Sequence, residues 1–305
     1  MLLSEETVKP KTTAKLQKQR KQRFSGNKLP SLLLTNYSLL EDLFIQKGWE
    51  LDPDRDISLF SKFLYTLNLL EDKQQQFLIE LTKDFLWIAG AEYTGNLIQA
   101  LEKLYETVGE KKIFFIKCMP IEDYGLEKSS GHVLYGLDDY SIKQHVDLGD
   151  YQKLDYMHEA NENMLLSGEA VLVMVDDFIG TGDTAAKTIV DIRKTYPRLT
   201  DNSAIKLLAI VTQEKGHDRM TDMGVEVFYA QKVGKGIENQ NISDDEKYKK
   251  ITLMEGIERK IKDLEEKYKF GYKKSEALVS MIKCPNNTFP IYWYIEGISP
   301  YERKH

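Results

Sequence analysis

Residues 171–184 read VLVMVDDFIGTGDT. Five apolar residues run into two adjacent carboxylates, Asp176 and Asp177, and a loop of small residues follows from Gly180 to Thr184. A strand apolar on both faces is the pattern of a buried parallel sheet. The next stretch, DTAAKTIVDIRKTYP (183–197), sets Ala186, Ile189, Val190 and Ile192 at helical spacing and has Pro197 just past its end. A second apolar run, AIKLLAIV (204–211), comes after it. Strand, loop, helix and strand make a βαβ unit, so the reading is a parallel sheet covered by helices.

Working outward, KIFFIKCM (112–119), EAVLVMV (169–175) and GVEVFYA (224–230) are short Val-, Ile- and Phe-rich runs of the same kind. From about Ile57 to Val108 the rhythm is helical instead, with Phe77, Leu81 and Phe85 on one stripe and Leu97, Leu101 and Leu104 on another. Met254, Ile257, Ile261, Leu264 and Tyr268 predict an amphipathic helix that packs on the body. ALVSMIKCPNNTFPIYWYIEG (277–297) reads as a strand or hairpin region around a Pro-Asn-Asn turn.

With 305 residues, 42% of them hydrophobic and 30% charged, the chain can bury a full core as one large domain or two modest ones. Glu5 and Glu6 stand where a secretory signal needs an apolar core, and no uncharged run approaches the ~20 residues of a spanning helix, so the expectation is a cytoplasmic protein with no membrane partner. Cys118 and Cys284 have no Cys or His at zinc-ligand spacing, which excludes a disulfide framework and predicts two buried thiols. Residues 9–28 carry eight Lys or Arg and no acid, on a chain whose net charge is −6. Such an arm serves either as an electrostatic contact for nucleic acid or an acidic protein face, or as a solvated tail.

The loop after the acids has the composition of a phosphate cradle. Gly180 and Gly182 allow a tight turn, Thr181 and Thr184 add hydroxyls, and Asp183 opens a helix whose free N–H groups attract anions. The lysine of GxxxxGK[ST] and the GxGxxG of a dinucleotide fold are both missing, which disfavours nucleoside triphosphate hydrolysis. At a strand end both Asp176 and Asp177 can turn into the crevice, where carboxylates accept hydrogen bonds from sugar hydroxyls or help hold hydrated Mg²⁺. A ligand with a ribose and a terminal phosphate suits both halves.

The stretch resembles the 5-phosphoribosyl 1-diphosphate (PRPP) motif of type I phosphoribosyltransferases: an apolar strand, two acids, FIG, then Thr181, Gly182, Asp183 and Thr184. The resemblance implies an α/β fold with an N-terminal helical extension: a basic arm at 1–28, helices at 29–84, and a phosphoribosyltransferase-like domain with C-terminal hood elements at 85–305. It implies that Asp176 and Asp177 bind the ribose hydroxyls and do the catalytic work, that residues 180–184 hold the 5′-phosphate, and that Mg²⁺ accompanies PRPP. Purine-salvage members carry an Asp at the position of Gly180, so the acceptor is not named. Asp183, at a variable position, has to point away from a phosphate.

A pyrophosphate loop is implied after the first core strand, where EKSSGHV (127–133) offers Lys128, Ser129, Ser130 and Gly131; an ordinary surface turn fits the same residues. The acidic stretch 135–168 falls where the family has its mobile catalytic loop and is long for that role. KSSGHV, GYKKSEALVSM and CPNNTFPIYW resemble an atypical bacterial branch found in anti-phage and retron systems. That branch implies an effector working with a reverse transcriptase and its RNA and DNA product, and leaves oligomerisation open. Asn286, Asn287 and Trp293 are the candidates for the acceptor side, with core packing the alternative for the aromatic residues. The other reading of the whole chain is a silent module that senses PRPP or a nucleotide-like ligand.

Overall fold

The computed structural model describes residues 34–52, 55, 58–295 and 299–303. The basic arm lies outside the described residues. The chain divides into two compact units, one of residues 1–84, 248–264 and 291–305, the other of 85–247 and 265–290.

In the first unit α1 (Leu34–Lys47), α2 (Leu59–Asn68) and α3 (Asp72–Thr82) carry the apolar stripes expected of packed helices. The Ser58 hydroxyl caps α2 by accepting from Ser61 N at 3.1 Å, and Gln74 reaches back to Glu71 N at the start of α3. Phe44 meets Phe60 and Phe63 edge-on at 5.0 and 5.5 Å. The C-terminal residues complete this core: Tyr292 lies against Phe63, and its hydroxyl shares a 2.9 Å hydrogen bond with Thr82. A division that keeps 85–305 together is therefore not what the packing follows, because the chain returns to cover the apolar faces that three helices leave open.

The second unit is built on five parallel strands: β2 (Lys112–Lys117), β3 (Tyr151–Lys153), β4 (Ala170–Ile179), β5 (Ile205–Gln213) and β6 (Glu226–Val233), in the order β3-β2-β4-β5-β6. A separate short parallel pair joins β1 (Leu86–Trp87) to β7 (Val279–Ser280). On one face, Val171, Val173 and Val175 pack against α4 (Ala91–Val108), α5 (Ser130–Gly136) and α6 (Tyr140–His145). On the other, Leu172 and Met174 meet α7 (Glu162–Ser167), α8 (Asp183–Thr195) and α9 (Glu214–Asp222). This is the parallel sheet flanked by helices, with a helical N-terminal region, that the sequence predicts. Both cysteines are buried, and neither forms a disulfide among the described residues. No helix among the described residues is long and apolar enough to cross a membrane.

Two expectations are refined, and the acidic stretch 135–168 finds its place: it forms α6, the edge strand β3 and α7. Among the described residues of 277–295 the strand alternative holds and the hairpin does not: Val279–Ser280 pairs with β1, and a parallel bridge joins Ala277 to Thr288. Pro285 and Pro290 lack the N–H that a hairpin ladder needs, and Thr288 turns its hydroxyl to the Val279 carbonyl at 2.6 Å. The helix α10 (Asp244–Glu258) stops before Ile261, whose N–H bonds the Glu258 carbonyl in a tighter turn.

Candidate functional site

After β2 the chain steps to β3 on one side and then to β4 on the other. A reversal of this kind opens a crevice outside the carboxyl ends of the two strands, where open α/β sheets bind ligands. A cavity of about 630 Å³ lies there. Its walls come from Pro120 and Asp123 after β2, from β4 and its following loop, from Lys187 on α8 and Arg219 on α9, and from residues 267–273 and 286–287.

The strand β4 extends to Ile179, two residues past the acid pair, so the two carboxylates sit within the strand and not at its tip. Asp176, 9% exposed, lines the cavity; Asp177, 4% exposed, does not. Strand alternation turns adjacent side chains apart. The Ser129 hydroxyl donates to Asp176 Oδ1 at 3.2 Å, and Asp177 N donates to the same oxygen at 2.9 Å. Burial pushes both carboxyls above the usual carboxylate range, and the charge of Asp177 pushes Asp176 further. The Tyr93 hydroxyl, buried and without a hydrogen-bond partner, lies near enough for burial and both acids to push its phenol up.

Beyond β4 the turn is held tight. Gly182 adopts φ +73°, a conformation costly for any other residue, and accepts as the cap of α8 through its carbonyl, bonded by Ala186 N at 2.9 Å. Gly180 has no room for a side chain, since a Cβ there would overlap the Asn287 carboxamide. Thr181 and Thr184 line the cavity beside the first, unpaired N–H groups of α8. Asp183 turns its carboxylate to the Arg219 guanidinium and to Lys273 Nζ, the latter at 2.6 Å. Burial alone would raise this carboxyl, but the hydrogen bonds from Lys273, Arg219 and Thr181 outweigh it and hold it at about 2. The acid is thereby neutralised locally beside the turn from Gly180 to Thr184.

Of the other candidates, Asn286 and Asn287 line the cavity. Trp293 does not: it is 1% exposed and belongs to the helical unit's core. Lys128 pairs with Asp123 at 3.4 Å, Ser130 is buried, and the N–H groups of Gly131 and His132 bond the carbonyls of Lys128 and Ser129. The segment is the start of α5 and not an open cradle; Ser129 alone of these four is bonded to the acids. Lys187, Arg219, Lys267, Tyr268, Tyr272 and Lys273 were not anticipated as cavity residues. KYKFGYKK (267–274) carried a signal for four of them, in its interleaved basic and aromatic residues.

The sequence matches the PRTase-CE family over residues 57–302. The chain belongs to that family. Its phosphoribosyltransferase character rests on a match that takes in both structural units and every cavity residue. No curated protein is similar enough to match it.

The acid pair sets a pH dependence for this PRTase-CE chain. A carboxyl that holds its proton more tightly folded than unfolded costs stability as pH rises from the unfolded carboxyl value through the raised folded one. Asp176→Asn removes that cost. Near pH 7.5 the variant is expected to melt about 2–4 °C above wild type, and the two should converge towards about pH 4. Thermal melts at both values check this; a variant that melts below wild type near pH 7.5 contradicts it.

Proposed function

We propose that the chain binds PRPP in this cavity and transfers its phosphoribosyl group to an acceptor. The observation that carries the reading is that one strand, β4, delivers Asp176 and a glycine-threonine turn into the same cavity. A sugar with a terminal phosphate needs both. In this reading the turn amides, Thr181 and Thr184 hold the 5′-phosphate at the start of α8. Asp176 accepts hydrogen bonds from ribose hydroxyls, and its charge favours the ring as it turns positive in an oxocarbenium-like transition state. The bond from C1 to the diphosphate oxygen breaks, diphosphate leaves with the bonding pair, and the acceptor bonds C1 and loses a proton. Holding donor and acceptor in line contributes much of the rate.

The donor set suits Mg²⁺, which takes one or two carboxylates with substrate phosphates and needs no protein cage. Asp176, the acid of the pair that lines the cavity, would hold it. Bound, it supplies neutralising charge for the leaving diphosphate. Burial raises both carboxyls and the charge of Asp177 raises Asp176 further, a cost such a cation would relieve at Asp176.

Calorimetry with PRPP and Mg²⁺ tests the reading. Wild type should bind, the Asp176→Asn, Asp177→Asn double variant should not, and Thr184→Val should bind about ten- to a hundredfold more weakly through loss of one hydrogen bond to a charged group. Equal binding by all three would place PRPP elsewhere. Binding by wild type without diphosphate release for any base, nucleoside or nucleic acid would favour the silent sensing module.

The wider part of the proposal is an effector of anti-phage defence, held by a reverse transcriptase with its RNA and DNA product. Its support is the resemblance of short segments and the eight positive charges of residues 9–28. The full chain should bind structured RNA with an affinity that falls steeply with salt, and deletion of 1–28 should abolish this. Binding that survives the deletion, or none by the full chain, removes nucleic acid from the account.

A further inference from the structure

Asn287 is fixed in place by its backbone and left without a partner at its side chain. Its carbonyl accepts from the Ser275 hydroxyl at 2.8 Å and from Ala277 N at 3.0 Å, while the neighbouring Asn286 carbonyl accepts from Tyr272 N at 2.9 Å. The side chain is 8% exposed and lines the cavity, and its Nδ2 has no hydrogen-bond partner. An unpaired buried amide costs folding free energy, so native chains rarely keep one without a use.

Its position is as specific as its lack of a partner. The amide carbon, nitrogen and oxygen together fill the place a Cβ would take on Gly180. Gly180 joins the acid-bearing strand to the phosphate turn, and its carbonyl is approached from another direction by Gly216 of α9, where a Cβ would also overlap. The carboxamide is thus wedged at the junction of the two halves of the site. It offers a donor beside an acceptor in one plane, and Tyr268 and Tyr272 line the same cavity. A flat heterocycle with a hydrogen-bond acceptor next to a donor is the group this edge complements, as carboxamides do on nucleobases. Being neutral, the carboxamide orients such a ring without taking its proton.

We propose that Asn287 is the specificity-determining residue of the cavity, that it reads a planar heterocycle through its carboxamide, and that Gly180 lacks a side chain in order to seat it. The inference rests on the phosphoribosyl reading above and goes beyond it by naming the group that selects the acceptor.

The test compares ribose 5-phosphate with AMP, GMP, CMP and UMP by calorimetry, since a nucleotide adds only a base to the same sugar phosphate. Wild type is expected to bind at least one nucleotide about tenfold or more tighter than ribose 5-phosphate. Asn287→Leu keeps the bulk and loses both hydrogen-bonding groups without adding charge; it should erase that gain and leave ribose 5-phosphate affinity within about twofold. Gly180→Ala should weaken both ligands, and adding Asn287→Ala should restore ribose 5-phosphate but not the gain from the base. The proposal is overturned if no nucleotide binds tighter than ribose 5-phosphate, if Asn287→Leu keeps the gain, or if it weakens both ligands equally, which would make Asn287 a support of the turn. A wild type that does not bind ribose 5-phosphate refutes the phosphoribosyl reading itself, and this inference with it.

Discussion

Two carboxylates side by side within a buried strand are a standing electrostatic cost, and the rest of the site is arranged around it. Asp176 and Asp177 gain little from solvent, so the chain meets Asp176 with a hydroxyl from Ser129 and with the backbone N–H of Asp177. Neither contact brings a positive charge. The pair therefore remains short of counter-charge, which in the proposed reading a ligand with hydroxyl donors or a cation would supply at Asp176.

The cations are elsewhere, around the phosphate turn. Arg219 and Lys273 are drawn to Asp183, which sets the direction of both side chains at the cavity. Lys273 comes from a segment in which Phe270, Lys273, Lys274 and Glu276 all have φ between +51° and +56°. Left-handed conformations at non-glycine residues cost about 1–2 kcal/mol each. Part of what offsets this is visible: the buried Glu276 carboxylate accepts from Ile237 N at 2.9 Å and from Glu238 N at 3.0 Å, and the Ser275 hydroxyl bonds the Asn287 carbonyl. The bonds from Ser275 and Ala277 to the Asn287 carbonyl bring this segment and Asn287 together, and Tyr272, Lys273 and Asn287 line the cavity.

The sheet is legible because parallel strands buried on both faces leave apolar runs, as β2, β4 and β5 do, while the edge strand β6 shows only by its Val, Phe and Tyr. The edge strand β3 is not legible, because three residues reading Tyr-Gln-Lys at a sheet margin need no such pattern. In the site, the spacing of acids, glycines and threonines on one continuous βαβ unit could be read directly. What escaped was supplied by tertiary contact: Arg219 through Asp183, Tyr93 through its approach to the acids, and the 267–273 wall through the fold of a segment with little regular structure. Trp293 misled because a Trp beside Tyr and Pro looks the same in a core as at a ligand. Asp177 was read as turning into the crevice, but β4 keeps its strand geometry past the pair, so only Asp176 lines the cavity.

The claim on which all of this turns is that Asp176 reads sugar hydroxyls while the turn from Gly180 to Thr184 reads phosphate. Affinities for ribose 5-phosphate and 2-deoxyribose 5-phosphate, measured on wild type and Asp176→Asn, address it most directly. The account predicts that wild type prefers the ribose compound by about tenfold or more, from one charged hydrogen bond, and that the variant binds both alike. An undiminished preference in the variant, or none in wild type, would contradict it.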